Sequence, residues 1–142
     1  MTSILSPLER STFAAIADYL IPQAEGMPSA TQVEVHGPML DRILSLRPDL
    51  QEAFRRGIAK CVNVDATEAS NSLNLNDPEA MTAIGLVASA AYYMAPSVRS
   101  LIGYPGQESR GDPSPDATPP YVENGLLQKV IDRGPIYKPT PR

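Results

Sequence analysis

Cysteine and histidine are nearly missing from this chain: Cys61 and His36 are the single examples of each among 142 residues. One thiol cannot close an internal disulfide or build a cysteine cage for a metal. One imidazole cannot head a histidine cluster, and no HExxH or comparable spacing is present. Basic clusters are missing too. Twelve Lys and Arg are set against sixteen Asp and Glu, for a net charge of -4. Phosphate backbones and anionic membranes are therefore not expected partners, so no nucleic acid is expected. No apolar run reaches the length that spans a bilayer, so direct membrane insertion is not expected either. The start, MTSILSPLERS, has no basic region followed by an apolar run, and no signal peptide is expected. A cytoplasmic chain is the expectation that follows.

Proline, by contrast, is plentiful and unevenly placed. Eight of the fifteen prolines fall in the last thirty-nine residues, Tyr104 to Arg142. Interior prolines remove a donor and clash with the preceding turn, so this stretch cannot be one long helix. It also carries Tyr104, Tyr121, Leu126, Leu127, Val130, Ile131, Ile136 and Tyr137. A solvated linker has no use for so many apolar groups, and an irregular arm with such anchors needs a surface to lie on. The expected organisation is a helical body over residues 1–103 and an extended arm over 104–142 that wraps a partner subunit. Within the arm, Val122 to Ile131 has the pattern of a short helix, ended by Gly134-Pro135.

The body reads as helices throughout. Ser6-Pro7-Leu8-Glu9 has the grammar of a capping box with proline in the first turn. Phe13, Ile16, Ala17 and Leu20 form the stripe of the helix that follows, and Pro22 stops it. PQAEGMPSA, residues 22–30, is a loop. A second helix is expected from about Thr31 to Leu46, although Gly37-Pro38 can delay its start to Pro38. A third follows Pro48, with Leu50, Phe54, Ile58 and Cys61 on one face. Its Arg55-Arg56 pair reads as a solvated face. Residues 62–76 read as polar, with one short helical turn at Ala66 to Ser70. Asp77 then caps the strongest helix of the chain, to Met94, rich in Ala, Gly and Ser. Small side chains let a neighbouring helix come close, which places this helix at the centre. A short turn over Pro96 to Ile102 leads to the arm. The only hint of strand is at Thr31 to Val35. The fold class expected is all-α: a small irregular helical bundle with a long Pro-rich extended C-terminal arm.

No motif for chemistry emerges. His36 reads as a packing or surface residue, and Cys61 as a small hydrophobe on an apolar face. Asp65, Glu68 and Asp77 have no spacing that defines a carboxylate site. Gly103-Tyr104-Pro105-Gly106 is not followed by Lys-Ser or Lys-Thr, so it is no phosphate loop. Tyr92-Tyr93 can line a pocket, but one packing and the other reaching water is the plainer arrangement. No catalytic, cofactor-binding or metal-binding residue is expected.

Two segments resemble a known family. LSPLERSTFAAIADYLIPQAEGMPSA, residues 5–30, and YYMAPSVRSLIGYPGQ, residues 92–107, are similar to the gluconate 2-dehydrogenase subunit 3 family. Ile21, Pro22, Gly26, Pro28 and Ala30 match its loop after the first helix, and Tyr104, Pro105 and Gly106 match a late stretch. The resemblance implies a small helical subunit of a dehydrogenase whose large subunit is a flavoprotein of the glucose-methanol-choline oxidoreductase type. It implies that FAD is bound by that partner and none by this chain. It also implies a role in the partner's folding, flavin loading and solubility. Exported members carry a twin-arginine signal, which this sequence lacks, so a cytoplasmic partner is expected.

The expected function is thus a non-catalytic subunit of a large FAD-dependent sugar or alcohol oxidoreductase. Its partner-binding residues are expected to be Tyr104, Tyr121, Leu127, Ile131, Ile136 and Tyr137. A stand-alone small enzyme on an organic substrate is the alternative from another class, and it needs a closed pocket within this chain. A structural homo-oligomer is a third, and it needs stable self-assembly.

Overall fold

Ser6 starts the first helix as the residues around it dictate. Its Oγ accepts from the Glu9 amide at 3.3 Å, and the Glu9 carboxylate takes the Ser6 amide at 2.8 Å, closing the capping box. Helix α1, Pro7–Leu20, buries Phe13, Ile16 and Ala17. The computed structural model describes residues 5–108 and 119–136. These form an all-α, small irregular helical bundle. No sheet occurs among the described residues; one isolated bridge joins Ala24 and Met27. The chain divides into two compact units, Met1–Gly106 and Gln107–Arg142.

In the first unit, five more helices follow: α2 Pro38–Leu46, α3 Pro48–Cys61, α4 Ala66–Asn76, α5 Pro78–Met94 and α6 Pro96–Leu101. Proline stands at the first turn of all of these except α4, where its missing amide donor costs nothing. Helix α5 packs against α1, α2, α3, α4 and α6, so it is the central element, as its small residues imply. Ala80, Ala83, Ile84, Val87, Ala88, Ala91 and Tyr92 are its buried residues. Across from it, Phe54 of α3 meets Phe13 of α1 with ring centroids 5.2 Å apart and tilted by 60°. That tilted geometry suits the ring quadrupoles.

Three local expectations are corrected. The segment from Thr31 is not the start of a long helix, nor a strand. Thr31–Val33 is one 3-10 turn, ended by Glu34 in the left-handed region at φ 56°. Helix α2 begins only at Pro38, because the residue before a proline is pushed out of the helical region. Residues 66–76 form eleven residues of helix rather than a single turn. Asp65 starts α4 by accepting from the amides of Thr67 and Glu68. Its buried stripe is narrow, Ala69, Ser70 and Leu73, and the Ser70 hydroxyl satisfies itself on the Ala66 carbonyl at 2.7 Å. Arg56 is no solvated cation: it donates to Asp77 and Glu79 of the neighbouring segment.

In the second unit, the expected helix at 122–131 is two pieces, α7 Pro120–Glu123 and α8 Gln128–Arg133. Gly125, at φ 76°, separates them in a conformation that side-chain-bearing residues rarely hold.

Gly57 of α3 marks a close approach to α5. A Cβ built there would lie 2.9 Å from Ala80 Cβ and 3.0 Å from Ile84 Cδ1. Alanine at this position would gain about 1 kcal/mol of helix propensity. Overpacking against a methyl that cannot rotate away costs roughly 1–3 kcal/mol. We expect Gly57→Ala to lower the urea midpoint without changing the slope. A variant as stable as the natural chain would mean that α3 and α5 are not held at this distance.

Candidate partner-binding surface

The loop at residues 22–30 is held from three sides. The Ala30 amide donates to the Ile21 carbonyl at 3.1 Å, closing its neck. Asp18 of α1 accepts from the Thr31 amide at 2.7 Å and from the Thr31 hydroxyl. Burial pushes the Asp18 carboxyl up, but the bonds from Thr31 and Ser29 outweigh it and leave the group below its ordinary value. The Tyr92 hydroxyl of α5 donates to the Pro28 carbonyl at 2.7 Å, across a sequence gap of 64. At the tip, Glu25 at φ 49° and Gly26 at φ 84° make a tight turn between Ala24 and Met27. Tyr92 therefore joins the two segments that carry the family resemblance.

From Ala80 on, the outer side of α5 is uncharged. Residues 80–98 contain no charged side chain. Thr82, Leu86, Ser89, Tyr93 and Met94 are exposed on the outer side of α5, where a surface helix ordinarily carries charge. Leu101, the last residue of α6, and Ile102 and Tyr104 after it are exposed. Tyr104 is nonetheless fixed. Its amide donates to the Arg99 carbonyl at 2.9 Å, and the Arg99 guanidinium sits 5.5 Å from the centre of its ring. Arg99 also donates to the Pro105 carbonyl at 3.2 Å.

Of the six residues expected to bind a partner, Tyr104, at 53% exposure, belongs to the first unit. Tyr121, Ile131 and Ile136 are exposed in the second, and Leu127 is half-buried. Tyr137 lies outside the described residues. Val122, Leu126 and Val130 are exposed beside them, Leu126 by 70%, and belong to the same apolar set. Leu86, Tyr93 and Met94 were not expected from the sequence; the uncharged stretch at 80–98 is the signal that could have found them.

Cys61 and Tyr92 are both taken up by the structure. Cys61 is buried, and burial pushes its thiol up while the neighbouring Lys60 pulls weakly the other way. A raised thiol is a poorer source of thiolate. It borders an open cleft of about 160 Å³ with Lys60, Leu73 and Asp77, small beside the roughly 300–1,000 Å³ of ordinary ligand pockets. Burial first, and Tyr93 second, push the Tyr92 phenol up, and its hydroxyl is already engaged. His36 is half-buried, with Nδ1 unpartnered. No group of three His, Cys, Asp or Glu could hold a metal ion among the described residues. No helix among them is long and apolar enough to cross a membrane. No family model, curated protein or solved structure gives a significant match to this chain.

Asp77 is the strongest electrostatic feature. Its carboxylate caps α5 through the Ala80 amide at 3.2 Å. It also accepts from Arg56 Nε at 3.0 Å and from Lys60 Nζ at 2.6 Å. The Arg56 bond above all, then the Lys60 bond, hold the carboxyl far below the usual carboxylate range. A carboxylate held low contributes stability that is present above its unfolded value, about 3.9, and is lost as pH falls below it. Asp77→Asn keeps the cap and removes the charge. We expect it to be less stable than the natural chain at neutral pH, with the gap closing as pH drops below about 4. A gap that stays constant on acidification would contradict the ion pairs as its source.

Proposed function

We propose that this chain is a non-catalytic small subunit that binds a large FAD-dependent sugar or alcohol oxidoreductase of the glucose-methanol-choline type. It supports the partner's folding and flavin loading and supplies no reacting group of its own. The observation that carries the binding role is the exposure of Tyr121, Leu126, Val130, Ile131 and Ile136 within one short segment. Each large apolar side chain removed from water is worth roughly 1.5–3 kcal/mol, so five or six of them form a strong site when covered. Tyrosines among them suit an interface with a wet rim. The identity of the partner rests on the resemblance at residues 5–30 and 92–107, and Tyr92 donating to Pro28 supports it by joining those segments in space. The cytoplasm is the proposed site of assembly.

The test is Leu127→Glu with Ile131→Glu in the full chain, co-expressed with a flavoprotein of that type. We expect helical dichroism and the thermal midpoint to stay as they are. Recovery of the partner and its flavin absorbance should fall by at least about tenfold, the equivalent of 1.4 kcal/mol. Unchanged recovery and unchanged flavin would reject the segment as the binding site. Turnover by this chain alone, lost on His36→Ala or Tyr93→Phe, would favour a stand-alone enzyme instead.

A further inference from the structure

Asn124 and Gly125 sit between α7 and α8, and both are exposed. Gly125 has no side chain to shield its amide, and nothing lies within 4 Å of where a Cβ would be. Among the described residues the Gly125 N–H makes no hydrogen bond, although its carbonyl accepts from the Gln128 amide at 3.0 Å. The Asn124 side-chain oxygen accepts from the Leu126 amide at 3.2 Å, while its Nδ2 has no partner among the described residues. The four other asparagines are exposed too, but differ in the amide that follows them. Asn71 and Asn74 lie inside α4, where the amides that follow them belong to the helical ladder. The amide after Asn76 donates to the Leu73 carbonyl at 2.8 Å, and the amide after Asn63 donates to the Cys61 carbonyl at 3.1 Å. None of the four is followed by glycine.

We propose that Asn124 is a site of spontaneous deamidation, with the Gly125 backbone nitrogen as nucleophile and the Asn124 side-chain carbon as electrophile. The Gly125 N to Asn124 Cγ bond forms and the Cγ–Nδ2 bond breaks. The proton from Gly125 N–H passes through solvent to the departing nitrogen, which leaves as ammonia. Water then opens the five-membered imide at either carbonyl, giving aspartate or isoaspartate. Nothing is oxidised or reduced; the balance is one amide and one water to one carboxylic acid and one ammonia. Ring closure needs ψ of Asn124 to turn away from 6°, and this residue lies beyond the last residue of α7. The turn at that bond crosses no helical hydrogen bond, because α7 ends at Glu123 and α8 begins at Gln128. The product adds a negative charge next to Leu126 and Leu127, and isoaspartate adds a methylene to the backbone. Weaker partner binding by the aged chain is a consequence that rests on the function proposed above; the modification itself does not.

The full chain is held at mildly alkaline pH and physiological temperature in heavy-oxygen water, then digested under acidic conditions and mapped by mass spectrometry. We expect heavy oxygen to enter the peptide bearing Asn124, largely as isoaspartate, at least about tenfold faster than at any other asparagine, a barrier lower by 1.4 kcal/mol. Gly125→Ala should slow it, since a Cβ crowds the attacking nitrogen. Conversion at Asn124 no faster than at Asn63, Asn71, Asn74 and Asn76 would overturn the proposal. So would a Gly125→Ala chain that converts at the natural rate.

Discussion

The close approach of α3 to α5 is the constraint on which the body depends. Gly57 leaves room for the Ala80 methyl, and Ile84 fills the space beside it. With the two backbones that near, Phe54 and Ile58 of α3 reach the core, and Phe54 meets Phe13 of α1. The same approach sets the charges. Arg56 and Lys60, on α3, come within hydrogen-bonding distance of Asp77, the residue that starts α5. Apolar packing and the ion pairs thus fix one geometry from two sides. A cap that is also the anchor of two cations ties the register of α5 to that of α3.

Tyr92 spends its hydroxyl on the Pro28 carbonyl, Cys61 is buried, and the carboxylates that come near cations are paired with them. Large apolar side chains also remain in water: on the outer side of α5, at the end of α6 and just after it, and around α7 and α8. Monomeric proteins rarely leave contiguous apolar area uncovered, and such area ordinarily meets another protein. The two units present such surfaces independently of each other. The partner proposed above rests on the resemblance, and the exposed side chains are what it would bind.

Much of the body was legible because its signals are local and agree. Proline at the first helical turn, Ser6 and Asp77 as caps, and the stripes of α1, α3 and α5 all point to the same helices. The centrality of α5 was legible from its Ala and Gly content. Three features were not, each for a physical reason. Helix α4 hides behind polar residues because its buried stripe is only Ala69, Ser70 and Leu73, and a serine can be buried when it bonds its own helix. Arg56 reads as solvated because the two carboxylates it bonds most closely lie 21 and 23 residues away. The break at Gly125 lies inside an apolar pattern that continues across it, and periodicity alone does not register a left-handed residue. Of the candidate surface, the second unit's residues were legible from composition. The outer side of α5 was not, since apolar residues on a central helix are counted as core until the neighbours are known.

We propose above that this chain acts by being bound to a flavin-bearing enzyme. It is tested most directly by purifying the full chain under native conditions from its source cells. The visible spectrum of the main peak is recorded, and each component is identified and quantified by mass. The account predicts a fixed ratio of this chain to one larger oxidoreductase, with flavin absorbance in the same peak. This chain alone in a single colourless species, with the flavoprotein eluting elsewhere and fully active, would contradict it.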